Sequence, residues 1–329
     1  MLLDTYGRVA TDLRVSLTDR CNLRCTYCMP EEGLRWLDRP DLLTDDEIVR
    51  MVRIAVTDLG VTDVRFTGGE PLLRPGLARI VAACAALEPR PRLSLTSNGI
   101  GLGRTAAALR EAGLDRVNVS LDTLRPEVFR TLTRRDRHHD VLAGLRAAAA
   151  AGLAPVKINT VLMRGLNDDE APDLLAWAVE HGYELRFIEQ MPLDAQHGWE
   201  RTGMVTAEEI LTSLRTRFHL TPEGATARAS APAERWLVDG GPARVGVIAS
   251  VTRPFCRACD RTRLTADGQV RNCLFAREES DLRAALRSGA RDTEIAERWR
   301  AAMWGKKAGS GLDDPAFRQP DRPMSAIGG

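Results

Sequence analysis

The sequence lacks the features that take a chain into or across a membrane. No apolar stretch approaches the roughly 18 residues that a membrane-spanning helix needs. Residues 1–8 contain no basic segment followed by an apolar run, so they do not have the form of a signal peptide. We therefore expect a cytoplasmic protein with no membrane partner, in which thiols stay reduced and grouped cysteines serve as metal ligands.

An excess of charge of either sign is also missing. The 329 residues include 46 Lys and Arg against 45 Asp and Glu, which leaves a formal net charge of +1. This balance gives no sign of a broad basic surface, so we expect no nucleic-acid partner. Any site for an anion must come from the local placement of basic side chains. The length predicts roughly two domains.

Cysteine is scarce, yet six of the seven cysteines lie in two groups of three. The first cysteine group is Cys21, Cys25 and Cys28, spaced C-x3-C-x2-C. Cysteine thiolates hold iron–sulfur clusters, and a cubane cluster has four irons. Three ligands therefore leave one iron open, and an open iron can bind a small chelating molecule.

The second cysteine group is Cys256, Cys259 and Cys273, spaced C-x2-C-x13-C. It again offers three ligands and no obvious fourth. Two incompletely ligated clusters would use all six grouped cysteines in the same way. The open iron of the second cluster could bind a nitrogen or oxygen of a substrate.

Two other uses of these cysteines stay open at this point. A structural zinc ion takes four ligands, and Cys25, Cys28, Cys256 and Cys259 would form such a set. That choice leaves one cysteine of each group without a role. A disulfide would leave an odd thiol in a group of three.

Short apolar strands alternate with helical segments in the first part of the chain. The predicted strands are residues 13–17, 64–66, 93–95, 117–121, 156–161 and 185–188. The predicted helices are residues 45–59, 75–87, 105–112, 126–132, 140–151 and 168–181. Six β-α units in series indicate a parallel sheet with right-handed crossovers, and six fall short of the eight of a closed TIM barrel. We predict an α/β fold with a partial (β/α)6 barrel over residues 1–205.

Residues 206–329 are predicted to form a C-terminal region that carries the second cysteine group. This region is expected to contain helices at 206–217, 280–287 and 292–303, and strands at 236–238 and 244–248. Residues 221–233 are rich in breakers and are predicted to be a loop.

Alternation with period two places polar side chains on one face of five predicted strands. They are Arg14, Ser16 and Thr18, Arg65 and Thr67, Ser94 and Thr96, Asn118, Ser120 and Asp122, and Lys157 and Asn159. Helices must cover the apolar faces, so the polar faces point inward. A solvated edge strand could explain one such face, hardly five. Because a buried unpaired cation is costly, this lining predicts a polar, anionic ligand.

The basic residues point to phosphate in particular. Arg14, Arg65 and Lys157 have no matching acids on the strand faces that carry them, and Arg261-Thr262-Arg263 lies between ligands of the second cysteine group. Arginine and lysine are the usual partners of phosphate groups. A triphosphate is the ligand that would use so many cations.

The spacing of the first cysteine group, with Tyr27 before the last cysteine, resembles that of the radical S-adenosylmethionine (SAM) superfamily. Thr67-Gly68-Gly69-Glu70-Pro71 resembles the loop of that family that binds the amino group of SAM. The resemblance implies a [4Fe-4S] cluster on the first cysteine group that binds and reductively cleaves SAM. It also implies SAM contacts at Tyr27, Gly69, Ser120 and Met191.

Within that superfamily, nearly the whole chain resembles the branch that acts on GTP in molybdenum cofactor biosynthesis. The resemblance includes both cysteine groups, Ser120-Leu121-Asp122, Arg261-Thr262-Arg263 and residues 319–329. It implies a second [4Fe-4S] cluster on the second cysteine group and a C-terminal tail whose Gly328 and Gly329 are needed for activity. The implied GTP contacts are Arg14, Arg65, Thr96, Lys157, Arg261, Thr262 and Arg263. Ser97 and Ser310 depart from residues that are common in that branch.

The same resemblance implies the reaction and its partners. A 5′-deoxyadenosyl radical takes hydrogen from C3′ of GTP, and the carbon radical attacks C8 of guanine to give 3′,8-cyclo-7,8-dihydro-GTP. The expected partners are a flavodoxin- or ferredoxin-type reductant and the cyclic pyranopterin monophosphate synthase, and the chain is expected to be a monomer or homodimer. Two alternatives are another radical SAM enzyme with an auxiliary cluster, such as a peptide maturase, and a zinc- or iron-binding protein without activity.

Overall fold

The computed structural model describes residues 1–224 and 230–328. These residues form a single twelve-stranded sheet with helices packed on it. The strands are β1 (Asp12–Ser16), β2 (Asp63–Thr67), β3 (Arg92–Ser97), β4 (Arg116–Ser120), β5 (Lys157–Val161), β6 (Glu184–Ile188), β7 (Leu220–Pro222), β8 (Glu234–Val238), β9 (Arg244–Ile248), β10 (Arg261–Leu264), β11 (Gln269–Arg271) and β12 (Ser280–Asp281). The helices are α1 (Asp45–Thr57), α2 (Leu77–Ala85), α3 (Leu102–Glu111), α4 (Pro126–Thr133), α5 (His138–Ala150), α6 (Ala171–Glu180), α7 (Ala207–Arg215), α8 (Arg283–Arg287), α9 (Asp292–Trp304) and α10 (Met324–Ile327).

The sheet is open, as the sequence predicts. Its strand order is β12-β11-β10-β1-β2-β3-β4-β5-β6-β9-β8-β7, so β12 and β7 form two separate edges. The eight strands from β10 to β9 run parallel to one another. Antiparallel strands are added at both ends. The six predicted strands are β1 to β6, and they lie side by side in chain order.

The C-terminal region extends this same sheet at both ends, which the sequence analysis does not anticipate. Strand β10 pairs with β1, and strand β9 pairs with β6. Strand β7 occupies the start of the segment predicted to be a loop, whereas residues 225–229 of that segment lie outside the described residues. Because the sheet is continuous, the division of the chain after residue 205 stays a prediction.

The helices begin and end largely where local signals place them. Helix α1 starts with a capping box, in which Thr44 Oγ1 accepts from the Glu47 amide at 3.2 Å and the Thr44 amide donates to Glu47 Oε2 at 2.7 Å. Glycines with positive φ follow the capping residues of α3, α5 and α6, which is the usual helix end. In the described ranges, no helix is long and apolar enough to cross a bilayer.

The crossover helices cover one face of the sheet and leave the other face for the site. Leu13 and Val15 on β1 and Leu17 just after it are fully buried in the core, and so are Val64 and Phe66 on β2. The side chains between them therefore point to the inner, concave face. This arrangement confirms the inward polar faces predicted from the sequence.

Candidate active site

The first cysteine group lies in the long loop between β1 and α1, and the end of α4 holds this loop. The amides of Arg24 and Thr26 donate to the carbonyl oxygens of Thr133 and Leu132 at 3.0 and 2.9 Å. The side chain of Arg134 donates to the carbonyl oxygens of Arg24 and Met29, both at 3.1 Å. These contacts fix the backbone on both sides of Cys25, so the three thiols are presented together.

The three thiols of the first cysteine group are buried and influence one another. Burial raises the pKa of Cys21 to about 11. It raises the pKa of Cys28 to about 12 and that of Cys25 well above its usual range, and in both cases a neighbouring thiol adds to the rise. Three crowded thiols of this kind become thiolates only when a strong cationic centre binds them. The donor set therefore fits an iron–sulfur cluster.

The spread of the cysteines disfavours the zinc and disulfide alternatives. All seven cysteines are free thiols. Within residues 1–224 and 230–328, no three His, Cys, Asp or Glu side chains come together closely enough to hold one metal ion. Thiolates that each bind a different iron of a cluster lie farther apart than thiolates around a single ion. Each cysteine group therefore suits a cluster better than a zinc ion.

The loop after β2 packs directly on the segment that leads into the first cysteine group. The amide of Gly69 donates to the carbonyl oxygen of Thr18, and the amide of Glu70 donates to that of Arg20, both at 2.7 Å. A Cβ atom at residue 69 would overlap the carbonyl oxygen of Arg20. Glycine is thus required there by the close approach of two backbones, which places this loop beside the cluster ligands.

Glu70 is a fully buried carboxylate at the centre of this loop. It accepts hydrogen bonds from the Leu72 amide at 3.0 Å, the Ser97 hydroxyl at 2.8 Å and the Asn98 amide at 2.7 Å. Burial nevertheless raises the pKa of Glu70 to about 7. The hydroxyl of Ser97 therefore helps to hold Glu70.

We expect the stability of the metal-free protein to fall as pH rises from about 4.5 to about 7 because of Glu70. The folded pKa lies above the ordinary value of 4.5, so in this window the folded protein binds more protons than the unfolded chain. The contribution is on the order of 3 kcal/mol. Urea unfolding at pH 5 and pH 8 measures it, and Glu70→Gln should lose less stability over that range than the unmodified protein.

The exposed Glu111 on α3 provides the control for this experiment. Glu111→Gln should keep the pH dependence of the unmodified protein. An equal loss of stability in Glu70→Gln and in Glu111→Gln would contradict the assignment of the pH effect to Glu70.

A single cavity on the concave face brings together most of the predicted site residues. It is lined by all three thiols of the first cysteine group and by the four predicted SAM contacts. Those four residues are Tyr27, Gly69, Ser120 and Met191. Five of the predicted GTP contacts also line the cavity, namely Arg14, Arg65, Thr96, Arg261 and Arg263. The hydroxyl of Tyr27 donates to Asp122 Oδ2 at 2.8 Å, which fixes that ring at the cavity wall.

Three arginines stand side by side on adjacent strands of this wall. Arg14 on β1 is in register with Arg263 on β10 and with Arg65 on β2. We call these three residues the arginine row. Neighbouring strands are about 4.8 Å apart, so like charges in register repel one another. Such a row is stable in the folded protein only where an anion or a nearby acid offsets its charge.

The electrostatics of the arginine row match an anionic ligand. Burial, followed by the charge of Arg65, lowers the pKa of Arg14 to about 9. Burial also lowers the pKa of Arg65 to about 10 and that of Arg263 well below its usual range. The Nε atoms of Arg14 and Arg261 are buried and have no hydrogen-bond partner among the described residues. These donors are available to the oxygens of a phosphate chain.

The prediction that the inward cations have no acidic neighbours is wrong, because two carboxylates lie beside them. Lys157 forms an ion pair with Glu184 on the neighbouring strand at 2.8 Å. Asp12 lies on the same face of β1 as Arg14, and its Oδ2 is 3.9 Å from Arg261 Nε. The sequence analysis omits both acids because its first and last strands begin one residue too late.

Two predicted GTP contacts, Lys157 and Thr262, do not line the cavity, and neither do Gly328 or the three thiols of the second cysteine group. Lys157 is engaged by Glu184, as described above. The hydroxyl of Thr262 accepts from Trp299 Nε1 at 2.9 Å, so its side chain faces α9. Gly329 lies outside the described residues. Their assignments as contacts stay predictions.

Arg186 on β6 lines the cavity and is missing from the sequence-based list. It is 7% exposed, its Nε has no hydrogen-bond partner in the described ranges, and burial lowers its pKa to about 10. The alternation that selects inward residues on five strands applies equally to β6. Continuing it through Glu184, Arg186 and Ile188 would have identified this residue.

The second cysteine group lies at the border of the cavity. Its neighbours in sequence, Phe255, Arg261 and Leu274, line the cavity, whereas Cys256 lines an adjoining groove. Burial, followed by the nearby Cys273, raises the pKa of Cys256. Burial also raises the pKa of Cys259, but the positive charges of Lys306 and Arg261 lower it by more, so the pKa of Cys259 lies below its usual value. Three neighbouring thiols again fit a cluster with one open iron.

The last described residues of the chain, 319–328, form a tail that reaches the site. The Met324 amide donates to the carbonyl oxygen of Leu193 at 3.0 Å, and the Ser16 hydroxyl donates to that of Ile327 at 3.0 Å. Arg263 donates to the carbonyl oxygen of Gly328. The described part of the tail therefore ends with Gly328 against Arg263 of the arginine row.

Two family models together match most of the chain. A model of the Radical SAM superfamily matches residues 15–178, and a model named Molybdenum Cofactor Synthesis C matches residues 183–312. A GTP 3′,8-cyclase of Streptomyces coelicolor is 82% identical over 329 residues, which cover 100% of this chain and 96% of that protein. A GTP 3′,8-cyclase of Mycolicibacterium smegmatis is 61% identical over 332 residues, with coverage of 100% and 92%.

Solved structures show the same fold at low sequence identity. The crystal structure of Streptococcus suis SuiB bound to S-adenosylmethionine has a TM-score of 0.61 at 14% identity and covers 85% of this chain and 66% of SuiB. The crystal structure of SuiB without a stated ligand has a TM-score of 0.59 at 16% identity, with coverage of 94% and 67%. On the sequence matches over its whole length, the chain belongs to the GTP 3′,8-cyclase family of the radical SAM superfamily.

Proposed function

We propose that this chain converts GTP to 3′,8-cyclo-7,8-dihydro-GTP in the first step of molybdenum cofactor biosynthesis. One observation carries this proposal: the first cysteine group and the arginine row line the same cavity. A ring closure within one nucleotide needs the radical source and the triphosphate site in one enclosed space. Family membership and cavity lining together favour this reaction over peptide maturation.

In this proposal, the first cysteine group holds a [4Fe-4S] cluster beside SAM. When bound, this pair supplies the 5′-deoxyadenosyl radical that removes hydrogen from C3′ of GTP. Tyr27, Gly69, Ser120 and Met191 come from four different parts of the sheet edge and surround SAM. The backbone hydrogen bonds between the loop after β2 and the segment before Cys21 hold Gly69 close to the cysteines that would bind the cluster.

GTP is held at its two ends. The arginine row and Arg261 bind the triphosphate, since all four residues line the cavity and the buried Nε atoms of Arg14 and Arg261 lack hydrogen-bond partners among the described residues. Thr96 and Arg186 line the same cavity and are further candidates for contacts with GTP. The second cysteine group would hold a second [4Fe-4S] cluster, which would offer an open iron to the guanine end. Lys157, which is paired with Glu184 at 2.8 Å, and Thr262 are proposed as further GTP contacts.

Water is kept from the reacting atoms by apolar side chains and by the tail. Ile188, Ile248, Phe255, Leu274 and Met324 line the cavity among the polar residues. An enclosed site of this kind limits side reactions of a reactive intermediate. The hydrogen bond from Ser16 to Ile327 holds the tail in place as a wall.

The remaining partners follow from the reaction. A flavodoxin- or ferredoxin-type reductant supplies electrons to the first cluster, and the product passes to the cyclic pyranopterin monophosphate synthase. The chain acts as a monomer or homodimer. A cytoplasmic location is consistent with six cysteines that must stay reduced until a cluster binds them.

The reaction is tested with GTP deuterated at C3′. Reduced, anaerobic protein is incubated with SAM and this substrate, and the products are analysed by mass spectrometry. We expect one deuterium to enter 5′-deoxyadenosine and an isomer of GTP to form in equal amount. Release of 5′-deoxyadenosine that does not depend on GTP, or that carries no deuterium, would contradict the proposal. So would protein that contains zinc and no acid-labile sulfide.

A further inference from the structure

A buried lysine contacts the second cysteine group from the C-terminal end of α9. Lys306 is 4% exposed. Its Nζ lies 3.3 Å from Cys259 Sγ, 3.2 Å from the carbonyl oxygen of Cys259 and 2.9 Å from that of Arg261. A lysine ammonium has three N–H donors, and these three acceptors use all of them.

The surroundings of Lys306 require an anion that no carboxylate supplies. Lysine is almost never fully buried unless it is paired, because removing an ammonium from water costs several kcal/mol. Among the described residues, no Asp or Glu lies within ion-pair distance of Lys306. Of its three contacts, the Cys259 sulfur is the one that carries negative charge when it ligates a cluster.

The segment that follows Lys306 contacts a second sulfur of the group and is firmly held. The amide and hydroxyl of Ser310 face Cys256 and act against the rise in its pKa. Arg8 donates to the carbonyl oxygens of Ala308 at 3.0 Å and Lys307 at 2.6 Å, and also to that of Cys256 at 2.7 Å. Residues 306–310 therefore present donors to two of the three ligands of the second cluster.

We propose that Lys306 is a positioning residue that raises the reduction potential of the second cluster through a charge-assisted hydrogen bond to the Cys259 thiolate. This inference rests on the proposed second cluster. Hydrogen bonds to ligating sulfurs and nearby charges set the potentials of such clusters. Addition of an electron makes the cluster more negative, so the ammonium stabilises the reduced form more than the oxidised form.

The test is a potentiometric titration of the reconstituted enzyme followed by electron paramagnetic resonance. The signal of the first cluster is identified by its change on addition of SAM, and the second by its change on addition of GTP. We expect Lys306→Met to move the midpoint of the second cluster to a more negative potential and to leave the first unchanged. Lys306→Gln, which keeps a neutral donor, should give a smaller shift in the same direction.

The neighbouring Lys307 is the matched control, because it is exposed and contributes only its backbone carbonyl to the contacts above. Lys307→Met should leave both midpoints unchanged. Loss of the second cluster alone in both Lys306→Met and Lys306→Gln would overturn the proposal, because it would assign Lys306 to cluster assembly instead of the reduction potential. An unchanged midpoint with both clusters present would overturn it, as would loss of both clusters together, which would assign Lys306 to the overall fold.

These outcomes separate the inference from the proposed function. Unmodified protein that assembles no second cluster would contradict the proposed function itself. Unmodified protein with two clusters, together with an unaltered Lys306→Met variant, would contradict the role of Lys306 alone.

Discussion

Replacing Arg14 with methionine is expected to weaken GTP binding by about 30- to 5,000-fold, which corresponds to the roughly 2–5 kcal/mol lost when one partner of a buried charge pair is removed. Arg14 is the central member of the arginine row and its Nε has no partner among the residues described. Methionine preserves much of the side-chain length and removes the charge. Equilibrium dialysis with labelled GTP measures the change.

The same substitution is expected to leave the ligand-free protein at least as stable as the unmodified protein. Arg14 is repelled by Arg65 and Arg261, and burial already disfavours its charged form. Removing a buried charge that lacks a full partner can be neutral or stabilising. Urea unfolding without GTP measures this second effect. Binding and stability should therefore change in opposite directions.

Arg92→Met provides the comparison for the Arg14 variant. Arg92 lies on β3, is exposed, and forms a surface ion pair with Asp63 at 2.6 Å. Surface ion pairs contribute about 0–1 kcal/mol, so GTP affinity and stability should both stay near their original values. If Arg14→Met weakened the binding of guanosine as much as that of GTP, the assignment of Arg14 to the triphosphate would be wrong.

Gly328→Ala is expected to lower the rate of cyclisation by about 100-fold or more, because an error of about 1 Å in the position of an active-site group has an effect of this size. Gly328 has φ of +84°, and a Cβ atom there would overlap Ser16 Oγ and lie 2.8 Å from Thr67 Cγ2. The tail must then leave its place against Arg263. Both clusters should still assemble, which iron and sulfide analysis can confirm.

A substitution at a second glycine, Gly289, shows whether the effect of Gly328→Ala comes from backbone strain or from the collision of the added Cβ atom. Gly289 has the same φ of +84°, but a Cβ atom there would meet no atom within 4 Å. Gly289→Ala carries the same left-handed strain of about 1–2 kcal/mol and should keep its cyclisation rate. Equal rates for the two variants would show that the tail has no role at Gly328. Deletion of residues 328–329 should give the same loss as Gly328→Ala.

Local patterns in the sequence predicted the parts of the site that lie close together along the chain. The spacing of each cysteine group is visible in a short segment, and so is the alternation that sends Arg14 and Arg65 inward. Strands β1 to β6 follow from apolar runs separated by helices. Each of these features depends on residues that are close together in the sequence, so the sequence alone was sufficient to predict them.

The features that the sequence did not predict depend on pairing between distant segments. Strand β10 reads Arg-Thr-Arg-Leu, which has no apolar run, and it forms because β1 offers it a partner. The register between Arg263 and Arg14 follows only from that pairing. In the same way, the burial of Lys306 depends on the position of α9 against β10, and composition around residue 306 gives no sign of it.

The pairing of β10 with β1 also affects how the protein is made. The two strands are separated by more than 240 residues, so β1 leaves the ribosome on the order of 10–50 s before its neighbour does, at about 5–20 residues per second. During that time one side of β1 has open hydrogen-bonding groups, and such edges invite pairing with other chains. The wall that receives the nucleotide is thus among the last parts to form, and a prematurely terminated chain would hold the first cysteine group without it.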